Sequence, residues 1–277
     1  MKASSSSDKR FPETPPEIEG SNGPLAQTVY NRLVAMLIRG EMAPGTPIRE
    51  AALCQQLKMN RGAVREALNQ LVGMDVMEYT PYCGYRLLPY TGRDVMEWLQ
   101  YRQAIEPMAL RLLLRRPWNA RVELMAELEE LLKREAAAIE AGDQRSIGRC
   151  DFCFHLKIVE GSGNRRLGGS YMRNALPYLI HLAQQKKPGD AGDFMSEYEG
   201  DNLIPFLERH THRRHEELLR EMREGEPGNA VMMLRRHLRF AEENIRENII
   251  SSTLKECPTG AHLNADSIGT IVKTLME

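Results

Sequence analysis

Residues 48–71 read IREAALCQQLKMNRGAVREALNQL, and the fold of the N-terminal part turns on them. Ile48, Ala52, Leu53 and Leu57 form one apolar set, and Val64, Ala67, Leu68 and Leu71 form another. Both follow helical spacing. Lys58-Met59-Asn60 between them has room only for a turn, and Asn60 is a good N-cap for the segment that follows. Arg61 and Arg65 then stand one turn apart, opposite the apolar stripe. An amphipathic helix that presents two arginines outward from its first turns has the form of the helix that a helix-turn-helix places in the DNA major groove. Charged residues also populate ordinary solvated helix faces. The short turn, the cap and the neighbouring segments favour the DNA reading.

Working outward, Val29, Leu33, Met36 and Leu37 predict a helix that ends at Gly40, before the turn Ala43-Pro44-Gly45. On the other side, MEYTPYCGYRLLPY from Met77 has two short Tyr- and Leu-containing runs broken at Pro81-Tyr82-Cys83-Gly84, a β-hairpin signature with Gly84 at the bend. Three helices and a hairpin make a winged helix-turn-helix over residues 25–88. Lys and Arg number eight over residues 25–93 against five Asp and Glu, a surplus of three positive charges. The whole chain carries −1, so contact with a polyanion has to come from a local patch of this kind.

Residues 1–24 are rich in Ser, Pro and charge and read as a disordered tail. Residues 89–93 read as a linker. From Asp94 to Ile250 the pattern is helical throughout, with segments at roughly 94–115, 119–141, 144–161, 164–185, 203–224 and 228–249, and a polar loop over 186–201. Six such helices predict an all-α bundle over 94–250, an architecture that commonly holds ligands in its interior. Residues 251–277 are an extension with one more short helix around Ile268–Leu275. The fold class expected is mainly α, a winged helix-turn-helix followed by an all-α ligand domain. No apolar run approaches the roughly 20 residues needed to span a bilayer, and no secretory signal is legible. Five cysteines, an odd number, make no disulfide framework, and a reducing cytoplasm is the expected setting.

Asp151 and His155 lie four apart in CDFCFHLKIVE and share a helix face. His215 and His237 each lie eleven residues from Glu226, the centre of the break between the last two helices. In an antiparallel hairpin each arm climbs about 1.5 Å per residue, so both imidazoles return to about the same height. If they share a face, they converge. With Asp151 and His155 on a facing helix, the set is three histidines and one carboxylate, suited to Zn, Ni, Mn or Fe with positions left for water or a ligand. A histidine on a helix is also often core or surface filler, and both readings stand at this point. His181, His210, His212 and His262 read as structural or exposed. Cys150 and Cys153 form a C-x-x-C inside a helix without a second pair at finger spacing, which disfavours a thiolate zinc site. Arg102 sits among Leu99, Ile105 and Leu113. It reads either as a snorkelling surface arginine or as a bidentate clamp for a carboxylate inside the bundle.

These motifs together resemble the GntR family of bacterial transcription regulators, in the branch with an all-helical FCD ligand domain. The N-terminal resemblance covers about residues 25–88, with Arg61, Val64, Arg65, Glu66, Ala67 and Leu68 on the family's most characteristic positions. The C-terminal resemblance covers about 94–249. There Arg102–Glu106 (R-x-x-I-E) looks like the opening helix, and Asp151–His155 followed by Gly163-Asn164 looks like the metal-bearing helix and its turn. His215 and His237 match the last two ligands. The resemblance implies a homodimer on a pseudo-palindromic double-stranded DNA operator, acting as a repressor. It also implies a divalent metal on Asp151, His155, His215 and His237, and a small organic acid effector reaching the metal and Arg102.

The expected DNA-contacting residues are Arg49, Asn60, Arg61, Gly62, Arg65 and, at the wing, Gly84. The chain departs from the family pattern at Asn60-Arg61-Gly62-Ala63, where Ser-Arg-Thr-Pro is usual. Gly62 lacks the threonine hydroxyl and loosens the helix start. Ala51 stands where many relatives carry an arginine, for which Arg49 is the nearby substitute. The expectation is therefore a regulator and not an enzyme. The rivals are a metal-dependent enzyme carrying a winged helix, and a winged helix used only for protein contact.

Overall fold

The computed structural model describes residues 24–184 and 203–255. The expected N-terminal tail up to residue 23, the loop 186–201 and the helix at Ile268–Leu275 lie outside the described residues. Those that are described divide into two compact units. One holds residues 24–89 together with Leu179–Gln184, and the other holds residues 90–178 with 203–255.

The first unit contains α1 (Pro24–Ile38), β1 (Pro47–Ile48), α2 (Glu50–Leu57), α3 (Arg61–Val72), β2 (Met77–Thr80) and β3 (Gly84–Leu87). The stripe on α1 is buried at Val29, Tyr30, Leu33, Val34 and Leu37, and α1 packs against α3. α3 contributes Val64, Ala67, Leu68 and Leu71 to the same core. Lys58 adopts a left-handed backbone (φ 53°) that closes α2, and the Asn60 side chain accepts the Ala63 N–H at 2.9 Å to open α3.

The sequence predicts a two-stranded wing, and the structure has three antiparallel strands in the order β1-β3-β2. Ile48, which the apolar spacing placed on the first helix, is instead a buried strand residue paired with Tyr85. A two-residue strand is too short to show alternation, and only its pairing with a distant segment defines it. That pairing also explains Gly84. Its φ is +88°, and a Cβ there would stand 3.0 Å from the Ile48 carbonyl oxygen. The left-handed backbone and the close strand both exclude a side chain. The wing turns through Tyr82, which is fully exposed.

The described part of the second unit is built from helices: α4 (Gly92–Leu114), α5 (Val122–Ala141), α6 (Gln144–Gly161), α7 (Arg165–Gln184, whose residues from Leu179 onward count with the first unit), α8 (Leu203–Glu224) and α9 (Pro227–Lys255), with a 3₁₀ turn at Trp118–Ala120. α4 starts inside the expected linker because Thr91 caps it. The Thr91 N–H donates to Asp94 at 2.7 Å while Asp94 N–H donates back to the Thr91 hydroxyl, a capping box. Pro227 occupies the first position of α9, where a missing N–H costs nothing. The last helix continues past the expected 249, into what the sequence alone marks as an extension.

α4 packs on α6 and α9, α5 on α6 and α8, and α8 on α9. One apolar cluster joins them, including Leu110, Leu113, Met125, Leu128, Phe154, Ile158, Leu218, Met222, Leu234 and Leu238. Asp151, His155, His215 and His237 come from three of these packed helices. No described helix is long and apolar enough to cross a membrane.

Candidate nucleic-acid interface and metal centre

In the first unit the capped start of α3 carries the two arginines. Arg61 and Arg65 have side chains 74% and 54% exposed, yet both are held by one carboxylate. Arg61 Nε donates to Glu50 Oε2 at 2.8 Å, while Arg65 Nε and Nη2 donate to Oε1 and Oε2 at 2.9 and 3.1 Å. These bonds, Arg65's first and Arg61's second, hold the Glu50 carboxyl below its usual range. Glu50 was absent from the sequence reading. Its signal is that it is the sole acid in residues 48–60. It fixes the direction of both guanidiniums before any partner arrives. Arg49 is exposed and precedes α2 without a side-chain cap bond. Gly62 is exposed, and a Cβ there would make only ordinary contact with Asn60 Oδ1 at 3.4 Å, so the backbone does not demand glycine. Gly84 answers to β1 by its contacts.

In the second unit, Asp151, His155, His215 and His237 converge, with one ligand atom from each lying within 4.8 Å of all the others. His155 and His215 have no exposed surface and His237 is 4% exposed. The three Nε2 atoms form a near-equilateral triangle with sides of 3.1, 3.2 and 3.1 Å. Asp151 Oδ1 lies 3.7 Å from His155 Nε2 and 3.6 Å from His215 Nε2. Around a single ion with metal–nitrogen distances of 2.0–2.1 Å, ligand edges measure about 3.3 Å for a tetrahedron and about 3.0 Å for an octahedron. The observed sides fall between these values.

The ring tautomers agree with that role. Glu106 Oε2 accepts from His155 Nδ1 at 2.6 Å. A carboxylate can only accept, so the proton sits on Nδ1 and the Nε2 lone pair faces the cluster. Glu135 Oε2 makes the corresponding contact with His215 Nδ1 at 3.3 Å and also takes His212 Nδ1 at 2.7 Å. Burial, then the Arg102 charge, lowers the His155 pKa against the pull of Glu106. Burial and the neighbouring imidazoles push that of His237 well below its ordinary value. Both are therefore neutral, the form that binds metal. Burial acts to raise both Glu106 and Glu135. The groups beside them outweigh it, the Arg102 charge and the His155 N–H for the first and His215 and His212 for the second. Each carboxyl is held down to about 2.

Arg102 is 4% exposed, so the snorkelling alternative is set aside. Its Nε donates to Glu106 Oε1 at 2.7 Å, where Tyr171 also donates its hydroxyl at 2.7 Å, and its Nη1 reaches Asp151 Oδ2 at 3.4 Å. Its Nη2 is buried without a partner, and so is His237 Nδ1. An orphaned guanidinium N–H beside a ligand cluster is a place for an acceptor that is not part of the protein.

Sequence reasoning missed Glu106 as a histidine partner, Glu135, and His212, which is half-buried against Glu135. The positions of the acids on facing helices are a tertiary fact. Cys150 and Cys153 are thiols that burial raises to about 12 and about 11, which does not suit thiolate ligation.

Comparison with known families gives two matches. Residues 25–82 match "Bacterial regulatory proteins, gntR family", and residues 97–240 match the FCD domain. Among curated relatives, the HTH-type transcriptional regulator McbR of Escherichia coli is 29% identical over 161 residues, 58% of this chain and 66% of McbR. The HTH-type transcriptional repressor GlaR of the same organism is 28% identical over 144 residues, 50% of this chain and 63% of GlaR. The matched stretch spans just under two thirds of each relative. Among solved structures, E. coli McbR/YncC superposes with a TM-score of 0.59 at 23% identity, covering 82% of this chain and 99% of that one. A GntR regulator of Rhodococcus sp. RHA1 gives 0.58 at 18%, covering 80% and 97%. These likenesses show the fold.

Proposed function

The chain belongs to the GntR family of bacterial regulatory proteins, in the FadR-like branch whose winged helix is followed by an FCD domain, and on that premise we propose that it is a DNA-binding transcription repressor governed by a small carboxylate effector. In this reading α3 enters the major groove of a pseudo-palindromic operator as one half of a homodimer. Arg65 and Arg61 supply contacts to guanine edges or phosphates, the commonest specific mode for arginine. Arg49 lies at the flank, Asn60 keeps the helix start capped, and the wing around Gly84 follows the backbone. The relatives named repressors support the direction of control.

Asp151, His155, His215 and His237 would hold a divalent ion, with Zn, Ni and Mn all compatible with three imidazoles and a carboxylate. Such an ion supplies a Lewis-acidic centre for an oxygen ligand. The chain's own contribution is the rest of the recognition. Glu106 and Glu135 fix the imidazoles, and Arg102 orients an incoming carboxylate. The single observation that carries the effector reading is the buried, unpartnered Arg102 Nη2 next to the four converging ligand atoms. The enzyme alternative finds little support. Among the described residues, the carboxylates nearest the cluster, Glu106 and Glu135, are bound to histidine Nδ1 atoms and no other group is placed as a general base.

The test is elemental analysis and native mass spectrometry of the purified protein, then operator binding by fluorescence anisotropy across a panel of organic acids. The expected result is one ion per chain, a dimer mass, and at least one acid that shifts operator affinity in the wild type but not in Arg102→Met. Operator affinity unmoved by every acid, in protein shown to hold metal, would sink the effector reading.

A further inference from the structure

The α8–α9 hairpin carries a second concentration of charge that the metal centre does not use. A cleft of about 340 Å³ is lined by His210, Arg213, Arg214 and Glu217 of α8 and by Met233 and Arg236 of α9. That volume lies in the usual range of small-molecule sites, roughly 300–1,000 Å³. Arg214 and Arg236 immediately precede the ligands His215 and His237. One residue is a rotation of about 100° around a helix. The same two helical turns therefore present imidazoles to the bundle interior and guanidiniums to a different face.

The charges in this cleft do not balance. Arg213 is paired with Glu217 at 3.2 Å, which uses the cleft's one carboxylate. Arg214 lies with its guanidinium 4.0 Å over the Phe240 ring, and its Nη1 donates to the Arg236 carbonyl oxygen at 3.4 Å. Among the described residues no carboxylate pairs with Arg214 or Arg236. An arginine that merely covered surface would extend its head into water. Arg214 is instead pinned by a ring and a carbonyl next to a like charge, with the rest of its planar fork unbonded among the described residues. Such a fork is shaped for two oxygens of one anion.

We propose that this cleft is a binding site for a small oxyanion, a phosphate or phosphate monoester, held between Arg214 and Arg236. The phosphoryl oxygens neutralise the two arginines, and the space beside Met233 takes the body of an ester. The site is separate from the carboxylate position at Arg102, since its arginines leave α8 and α9 on a different face from the imidazoles and none of its lining residues bonds to the metal cluster.

Calorimetric titration of the full-length protein with inorganic phosphate, at constant ionic strength, tests this. It is repeated on Arg214→Gln/Arg236→Gln and on Arg235→Gln/Arg239→Gln, which removes the same charge from exposed positions of α9 outside the cleft. The expected outcome is saturable binding that weakens at least tenfold in the cleft variant and less than twofold in the control, with metal content equal in all three. Equal weakening in both variants would reduce the effect to general charge and overturn the proposal. So would absence of binding to wild type, or undiminished binding in the cleft variant, which would place phosphate at the metal. Competition by duplex DNA that disappears in the cleft variant would reassign the arginines to a nucleic-acid backbone and likewise overturn the small-anion reading.

Discussion

Two arginine–carboxylate clusters in this chain have nearly the same bond lengths and opposite surroundings. At the start of α3, Arg61 and Arg65 share Glu50 at 2.8–2.9 Å with their side chains more than half exposed. In the bundle, Arg102 meets Glu106 at 2.7 Å with 5% and 0% of the side chains exposed. Distance alone does not rank them. Beside water, an ion pair gains little because solvent and salt compete for both partners. It can therefore be exchanged at small cost for phosphates or base edges. In the interior the same pair cannot be released, since removing one member leaves the other charged and unsolvated. The first cluster is suited to trading partners, and the second to holding a geometry fixed while one remaining N–H waits for a ligand.

The sharpest test of that contrast is Glu106→Ala. It strips the counter-charge from Arg102 and the acceptor from His155 and Tyr171 together. The expected loss is about 3–5 kcal/mol of stability, the usual result of orphaning a buried charge. Denaturant unfolding measures it, and bound metal falls in parallel. A loss under about 1 kcal/mol would mean that water reaches the cluster and that the interior reading is wrong.

Next in size is Arg61→Ala/Arg65→Ala. Operator affinity is expected to fall roughly a hundredfold, from about tenfold per arginine–base contact, while the melting temperature stays within about a degree because exposed pairs contribute little to folding. Retained operator binding would support the rival in which the winged helix serves protein contact alone.

Glu135→Gln probes the carboxylate that receives both His212 and His215. The amide can still accept a hydrogen bond, but it lacks the charge that a carboxyl held down to about 2 keeps throughout the neutral range. Loss of such an outer partner typically lowers metal affinity by roughly 10–100-fold. Competition with a chelator of known affinity reads it, and operator binding without effector is expected to be unchanged. Equal metal affinity in the variant would show that His215 is oriented by packing alone.

How much of this was legible beforehand follows from the range of the interactions. The α2–turn–α3 unit is local: its cap, its stripe and its arginines lie within 24 residues, and 3.6-residue periodicity displays them. The convergence of His215 and His237 was also readable, because a helical hairpin converts equal distance from a turn into equal height. Strand β1 was not, since Ile48 belongs equally well to a helical stripe until Tyr85 claims it. Glu50, Glu106 and Glu135 were invisible as partners for a related reason. An acid on an amphipathic helix looks the same in sequence whether it faces water or a histidine on another helix. The burial of Arg102 was equally beyond spacing arguments, which left it either a snorkelling surface arginine or a clamp inside the bundle.

The smallest expected effect falls on Glu50 and bears most directly on the exchange idea. If Glu50 competes with DNA for Arg61 and Arg65, Glu50→Gln frees the two guanidiniums. Affinity for a random duplex then rises a few-fold, and its salt dependence steepens because two more cations are available to phosphates. Specific affinity gains less, because the directions that Glu50 imposes on the side chains are lost, so the ratio of specific to non-specific binding falls. Titrations of both duplexes at several salt concentrations separate the two contributions. A variant that weakens operator and random duplex alike would show that Glu50 only organises the arginines. The exposed cluster would then be, like the buried one, a fixed geometry and not an exchangeable pair.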